Sequence, residues 1–183
     1  LRELSLHLLD IAENSISAGA DAVHVEVEED TQDDRLRILV RDNGCGMDGD
    51  LLARVVDPFV TSRTTRKVGL GIPLLKAAAE MCAGTLTINS ELGKGTQIEA
   101  IFQRSHIDRM PIGNLPDTLL TLLIGSPEIH WTFHYRFDDR TFEFDDEEIK
   151  ATLDGVPLSE PAVISFLRGY IAEGITAALQ GSA

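Results

Sequence analysis

Cysteine is scarce in this chain, with two among 183 residues, Cys45 and Cys82. Neither has a partner at metal-ligand spacing, so reduced thiols are expected rather than a disulfide or a zinc site, with Cys45 open to oxidation. Basic side chains are also few. Lys and Arg number 16 against 30 Asp and Glu, a formal net charge of −14. A phosphate backbone is bound through clustered Lys and Arg, so direct nucleic-acid binding is excluded unless a basic partner supplies the charge. No apolar run approaches the roughly 18 residues that span a bilayer, and the N-terminus has neither the basic region nor the small-residue cleavage site of a signal peptide. The expectation is a cytoplasmic protein without a membrane span. The chain opens on Leu1 rather than Met, so further sequence upstream is expected.

What is present is an ordinary globular composition, 43% hydrophobic and 25% charged, enough for one substantial domain and a smaller one. Leu1, Leu4, Leu8 and Ile11 recur at helical spacing, with Leu6, Leu9 and Ile16 widening the apolar face and Gly19 as the stop. Glu3, His7, Asp10, Asn14 and Ser17 form a polar stripe on the same helix, and for Glu3, His7 and Ser17 the plain reading is a solvated face. Val23 to Glu28 alternates strictly and pairs as a hairpin with the apolar run Leu36 to Val40. A short helix over 50–56 ends at Pro58, and the polar segment 61–67 has little to bury. Gly69-Leu70-Gly71 opens a helix from about Ile72 to Ala83, with Pro73 tolerated in its first turn. Strands follow at 85–89 and 97–102 around the turn 91–95.

Composition shifts near Arg104, and Pro111 and Pro116 follow. Beyond them the pattern predicts a helix at 115–124, a hairpin of Trp131 to Phe137 with Thr141 to Phe144, and helices at 145–153 and 159–179, the last capped by Ser159. Most of the aromatic residues fall here, so a second, small α+β domain is expected at 104–183, after a first domain at 1–103. His130 and His134 share one face of their strand with Thr132, which suggests surface rather than metal.

Three features carry chemistry. Asp42-Asn43-Gly44-Cys45-Gly46-Met47 stands where a strand stops, so a rigid carboxylate sits beside bare backbone that a planar ligand could approach. The plain alternative is a turn that begins with Asp. Asp10 and Asn14 lie four residues apart on one helix face, where their oxygens suit Mg²⁺. Gly69-Leu70-Gly71 at a helix start offers free N–H groups to an anion, or serves as a glycine-rich hinge. It has the spacing of neither the P-loop nor the Rossmann fingerprint.

In order, the chain reads Asp10-Ile11-Ala12-Glu13-Asn14-Ser15, Asp42 to Met47, Asp57-Pro58-Phe59, Gly69-Leu70-Gly71-Ile72 and Gly93-Lys94-Gly95-Thr96. That succession, over about residues 1–103, resembles the GHKL ATPase superfamily of gyrase, heat-shock chaperone, MutL and histidine-kinase ATP-binding domains. Asp57 to Thr61 and Gly69 to Leu74 look like the histidine-kinase branch, whereas Glu13 to Ser15 and Ser17 to Ala20 look like MutL. The resemblance implies an α/β fold, a two-layer Bergerat-type sandwich in which a mixed sheet carries helices on one face. It implies ATP and Mg²⁺ as ligands. Asn14 would bind the metal, Asp42 would accept from the adenine amino group, and Gly44 and Gly46 would line the adenine pocket with Thr96 in support through water. Gly69, Leu70 and Gly71 would meet the phosphates. Residues 61–68 would form a lid in which Arg63, Arg66 or Lys67 neutralises phosphate charge, with Phe59 either as its apolar anchor or as buried structural filler. Asp10 stands where hydrolysing members place a glutamate base; it is one methylene shorter, so slow turnover is expected.

Two activities fit that resemblance. One is a histidine-kinase-like or anti-sigma-like kinase that transfers a phosphoryl group to a partner protein, the phospho-acceptor lying in another chain or outside this sequence. The other is a slow ATPase or nucleotide-driven switch that acts on a partner through residues 104–183, similar to small ATP-binding proteins associated with bacterial iron hydrogenases. A homodimer is compatible with both, and a catalytically dead scaffold fits poorly with so complete a set of motifs.

Overall fold

The computed structural model describes residues 2–56 and 70–181. Along the chain run α1 (Leu4–Ser17), β1 (Ala22–Asp30), β2 (Arg35–Asp42), α2 (Gly49–Val55), α3 (Gly71–Met81), β3 (Thr85–Glu91), β4 (Gly95–Gln103), α4 (Leu115–Gly125), β5 (His130–Phe137), β6 (Arg140–Asp145), α5 (Asp146–Leu153) and α6 (Pro161–Gln180). The strands form one mixed sheet in the order β3-β4-β2-β1-β5-β6. Every neighbouring pair is antiparallel except β1 and β5, which run parallel.

Period-two alternation decides which face each strand buries. Val23, Val25 and Val27 of β1 lie buried with Leu36, Ile38 and Val40 of β2, Ile98, Ala100 and Phe102 of β4, and Trp131, Phe133 and Tyr135 of β5. Helices cover that face: α1 packs on β2, α3 on β3 and β4, and α6 on β5 and β6, while α4 lies between α1 and α6. The intervening strand residues make the opposite face mostly polar, with Leu39 buried among them. There Arg37 joins three strands, reaching Glu26 at 2.6 Å, Glu28 at 3.3 Å and Glu99 at 2.6 Å. The result is the two-layer α/β sandwich expected from the sequence.

The C-terminal residues do not build a sheet of their own. β5 pairs with β1 from Ala22↔His130 to Glu29↔Phe137, and one continuous apolar core takes in side chains from α1 through α6. The stretch between β4 and α4, read from sequence as a boundary, is tied to α1: Leu4 N–H donates to the Pro111 carbonyl at 3.0 Å and Ser5 N–H to that of Ile112 at 2.7 Å. These bonds satisfy two of the helix's four orphan donors. A buried polar cluster fastens the same halves together. The Tyr135 hydroxyl donates to Glu29 Oε1 at 2.8 Å, and Arg104 Nε donates to Glu29 Oε2 at 2.9 Å. Burial, and then the Glu29 charge, push the Tyr135 hydroxyl well above the usual phenol range, so it remains a donor.

Two expectations change. Helix α6, with 20 residues and mean hydropathy 1.3, is long and apolar enough to cross a membrane by length and composition; Arg168 and Glu173 break the run and hid this in the sequence. Here α6 packs on β5 and β6 with Leu167 and Ile171 fully buried, each contributing about 2 kcal/mol of apolar burial. Its N-cap is Glu160 rather than Ser159. The polar stripe of α1 is not uniformly solvated either. Ser17 is exposed, but His7 is buried, and its Nδ1 has no hydrogen-bond partner. Burial lowers the His7 pKa below its ordinary value.

Candidate functional site

Asp42 is the last residue of β2, opposite Val23 of β1 and Thr96 of β4. Its backbone is held on both sides, and three donors then fix the carboxylate. Oδ1 accepts the N–H of Gly44 at 2.9 Å and of Thr96 at 3.2 Å, while Oδ2 accepts the Ser15 hydroxyl at 2.6 Å. A carboxylate carries about four acceptor positions. One therefore stays available for a donor from outside the protein. Ser15 was missed from sequence, although it left a signal. It continues the buried series Leu8, Ile11, Ala12 of α1, and a hydroxyl on an otherwise apolar helix face needs a buried partner.

The loop after Asp42 is pinned on three sides, by the start of β1, the end of α1 and the β3–β4 hairpin. Asn43 Oδ1 accepts the N–H groups of Asp21 at 2.8 Å and Ala22 at 2.9 Å, holding the start of β1. Cys45 N–H reaches the Ala18 carbonyl past the end of α1, and the Cys45 carbonyl accepts Gly93 N–H from the β3–β4 turn. Met47 N–H donates to Ser90 Oγ at 2.8 Å, and the hydroxyls of Ser90 and Thr96 lie 2.8 Å apart. Gly46 has φ +66°, and a methyl group there would run into the Glu91 carbonyl. Only glycine fits both demands.

A cavity of about 430 Å³ opens beside this loop. Asn14, Asp42, Gly46 and Thr96 line it, together with apolar Ile11, Met47, Leu51, Val55, Ile72 and Ile98. An apolar slot with a few fixed polar groups suits a small planar ligand. Of the residues expected at a site, the structure thus brings Asn14, Asp42, Gly46 and Thr96 to one cavity, with Gly44 buried directly behind Asp42. Asn14 Nδ2 is buried without a hydrogen-bond partner.

Asp10 meets the first turn of α3. A Cβ on Gly71 would stand 3.0 Å from Asp10 Cβ and 3.6 Å from Oδ2, so glycine permits the close approach. Leu70 is the N-cap of α3 and supplies no side-chain cap, so among the described residues the first N–H groups of that helix have none. Lys67 and Gly69, with Phe59, Arg63, Arg66 and the rest of the expected lid, lie outside the described residues.

Histidines on the sheet also gather acids. Glu26, Glu28 and His134 come close enough to share an ion, as do His130, Asp145 and Asp146. Protein cations already neutralise both groups: Arg37 faces Glu26 and Glu28, and Lys150 Nζ lies 2.6 Å from Asp146. The Arg37 group is a cross-strand ion pair, and Lys150–Asp146 is an i,i+4 pair within α5.

The chain is 33% identical over 111 residues to the non-motile and phage-resistance protein of Caulobacter vibrioides, a match covering 56% of this chain and 13% of that protein. It is 30% identical over 91 residues to sporulation kinase D of Bacillus subtilis, covering 50% of this chain and 18% of that one. The chain thus spans less than a fifth of the length of the curated relatives it matches. The crystal structure of the N-terminal domain of a DNA repair protein superposes with a TM-score of 0.51 at 12% identity, over 79% of this chain and 52% of that one, a likeness of fold. Residues 1–106 match the model of the histidine kinase-, DNA gyrase B- and HSP90-like ATPases. With more than half of its length inside that match, the chain belongs to the histidine kinase-, DNA gyrase B- and HSP90-like ATPase family.

Proposed function

We propose that the chain binds ATP with Mg²⁺ and passes the γ-phosphoryl group to a partner protein. The observation that carries this reading is the Asp42 carboxylate, fixed by Ser15, Gly44 and Thr96 in the cavity that Asn14 also lines. Ionised and acceptor-only, Asp42 takes a hydrogen bond from an exocyclic amine and repels a carbonyl, which selects adenine over guanine. Gly46 gives the base room, Gly44, which does not line the cavity, holds the Asp42 carboxylate through its N–H, and Thr96 supports the same contact through its hydroxyl. Ile11, Met47, Ile72 and Ile98 cover the ring faces and exclude water.

The residues fit a magnesium ion. Asn14 offers a side-chain oxygen whose amide nitrogen has no partner in the protein, and Asp10 adds a carboxylate one helical turn away. When bound, Mg²⁺ neutralises phosphate charge. The uncapped N–H groups of Leu70, Gly71 and their neighbours at the start of α3 receive phosphate oxygens, with Gly69 and Lys67 as further contacts from the preceding segment. Asp10, lying against Gly71, orients the attacking group or accepts its proton. The shorter side chain makes it a weak base toward water, which favours transfer to a positioned partner over hydrolysis.

A second reading, a slow ATPase that switches a partner, draws on the same Asp10–Gly71 contact. Incubation with γ-labelled ATP, alone and with cell extract, separates them. A labelled protein supports transfer; released phosphate alone supports the switch. Neither product would overturn both.

A further inference from the structure

Residue Arg54 lies in the last turn of α2 and lines the same cavity as Asp42 and Asn14. It played no part in the reading of the sequence. A basic residue at a helix C-terminus complements the dipole, and that alone would explain an exposed arginine. The cavity gives it a second task. Among the described residues lining the cavity, Arg54 is the only cation, alongside the two carboxylates of Asp42 and Asp48. Both are already engaged. Asp42 holds three donors, and Asp48 Oδ1 caps α2 by accepting Leu51 N–H at 2.8 Å.

The guanidinium is only partly committed. Among the described residues its one hydrogen bond runs from Nε to the Asp50 carbonyl at 3.1 Å, within α2. That bond fixes the stem and leaves the two terminal nitrogens, with four N–H donors, for a ligand. The neighbouring Leu51 and Val55 line the apolar part of the cavity from the same helix. One short helix therefore presents apolar surface for a base and a planar cation for an anion. In a chain of net charge −14, a polyphosphate meets long-range repulsion that a local cation must offset.

We propose that Arg54 is a ligand-contacting residue of the nucleotide site, with its terminal nitrogens donating to the polyphosphate of the bound nucleotide. This rests on the ATP reading above. A guanidinium fork matches phosphate geometry in a way that an ammonium does not, so lysine should replace it only in part.

Calorimetric titration of the full chain with Mg-ATP and with adenosine, for the wild type, Arg54→Ala, Arg54→Lys and Asp42→Asn, tests the assignment. Arg54→Ala should weaken ATP on the order of tenfold and leave adenosine unchanged, with Arg54→Lys between. Thermal melts should show both variants folded, because the side chain is exposed. Equal weakening of adenosine and ATP would mean that Arg54 acts on the base or on packing, and unchanged ATP affinity would mean that it serves only α2; either overturns the proposal. If Asp42→Asn weakens both ligands while Arg54→Ala weakens neither, the nucleotide reading stands and the Arg54 assignment alone fails. If the wild type binds no ATP, both fail together.

Discussion

The hydroxyl of Ser15 donates to the carboxylate of Asp42 at 2.6 Å, across 27 residues of sequence. It joins the end of β2 to the helix that also carries Asp10 and Asn14. Asp42 is thereby oriented before any ligand arrives, and an acceptor that is already aligned costs less to engage.

Ser15→Ala tests that coupling. The alanine fits the space, so the fold should persist, but Oδ2 loses a charge-assisted bond of about 1.5 kcal/mol. ATP affinity should fall roughly tenfold in a calorimetric titration. An unchanged affinity would mean that Gly44 and Thr96 suffice to hold Asp42.

Asp10 is expected to act in chemistry more than in binding. Asp10→Asn keeps the shape beside Gly71 and removes the charge; phosphate release or transfer should drop about 100-fold or more, with ATP affinity changed by less than about fivefold. A variant as active as the wild type would remove Asp10 from the mechanism.

The two halves of the chain should melt as one. Arg104→Ala leaves Glu29 buried beside Tyr135 without its cation, at a cost of about 2 kcal/mol, below that of a fully buried pair because the arginine keeps part of its hydration. Differential scanning calorimetry should show a single transition in the wild type and a single, lower one in the variant. Two separated transitions would restore an independent unit at 104–183.

His7 predicts an acid-side loss of stability. Its folded pKa lies below 6.5 because the ring is buried, so below that pH the unfolded chain binds a proton that the folded chain refuses. Stability is therefore complete above 6.5 and declines as pH falls from there toward the folded pKa. Chemical denaturation at pH 7.5 and 5.5 should show a smaller decline in His7→Leu than in the wild type. Equal declines would assign the acid sensitivity to other groups.

Much of the site was legible because its parts are local. A strand ending in Asp42 with glycines at 44 and 46, an Asp10–Asn14 helical pair and a glycine-opened α3 are patterns of neighbours in sequence, and the sandwich was expected from the resemblance that those motifs carry in order. Ser15, Ser90 and Arg54 were not legible. Their partners are fixed only after folding: Ser90 comes to Met47 through the β3–β4 hairpin, and Arg54 to the cavity through the packing of α2. The pairing of β5 with β1 was hidden for a related reason. Parallel partners need a long crossover, and Pro111 and Pro116 within it read locally as a boundary. His7 shows the converse error, since a polar residue in a polar stripe looked solvated until α1 was packed.

The most direct measurement is ATP binding by Asp42→Asn. The substitution preserves shape: the amide oxygen can still accept from Gly44 and Thr96, and the amide nitrogen can donate to the Ser15 hydroxyl, so the thermal melt should move little. What is lost is the negative charge and the remaining acceptor position for the adenine amine. A titration with Mg-ATP should show affinity reduced about 100-fold or more in a folded variant. A folded Asp42→Asn that binds ATP as the wild type does would contradict the account.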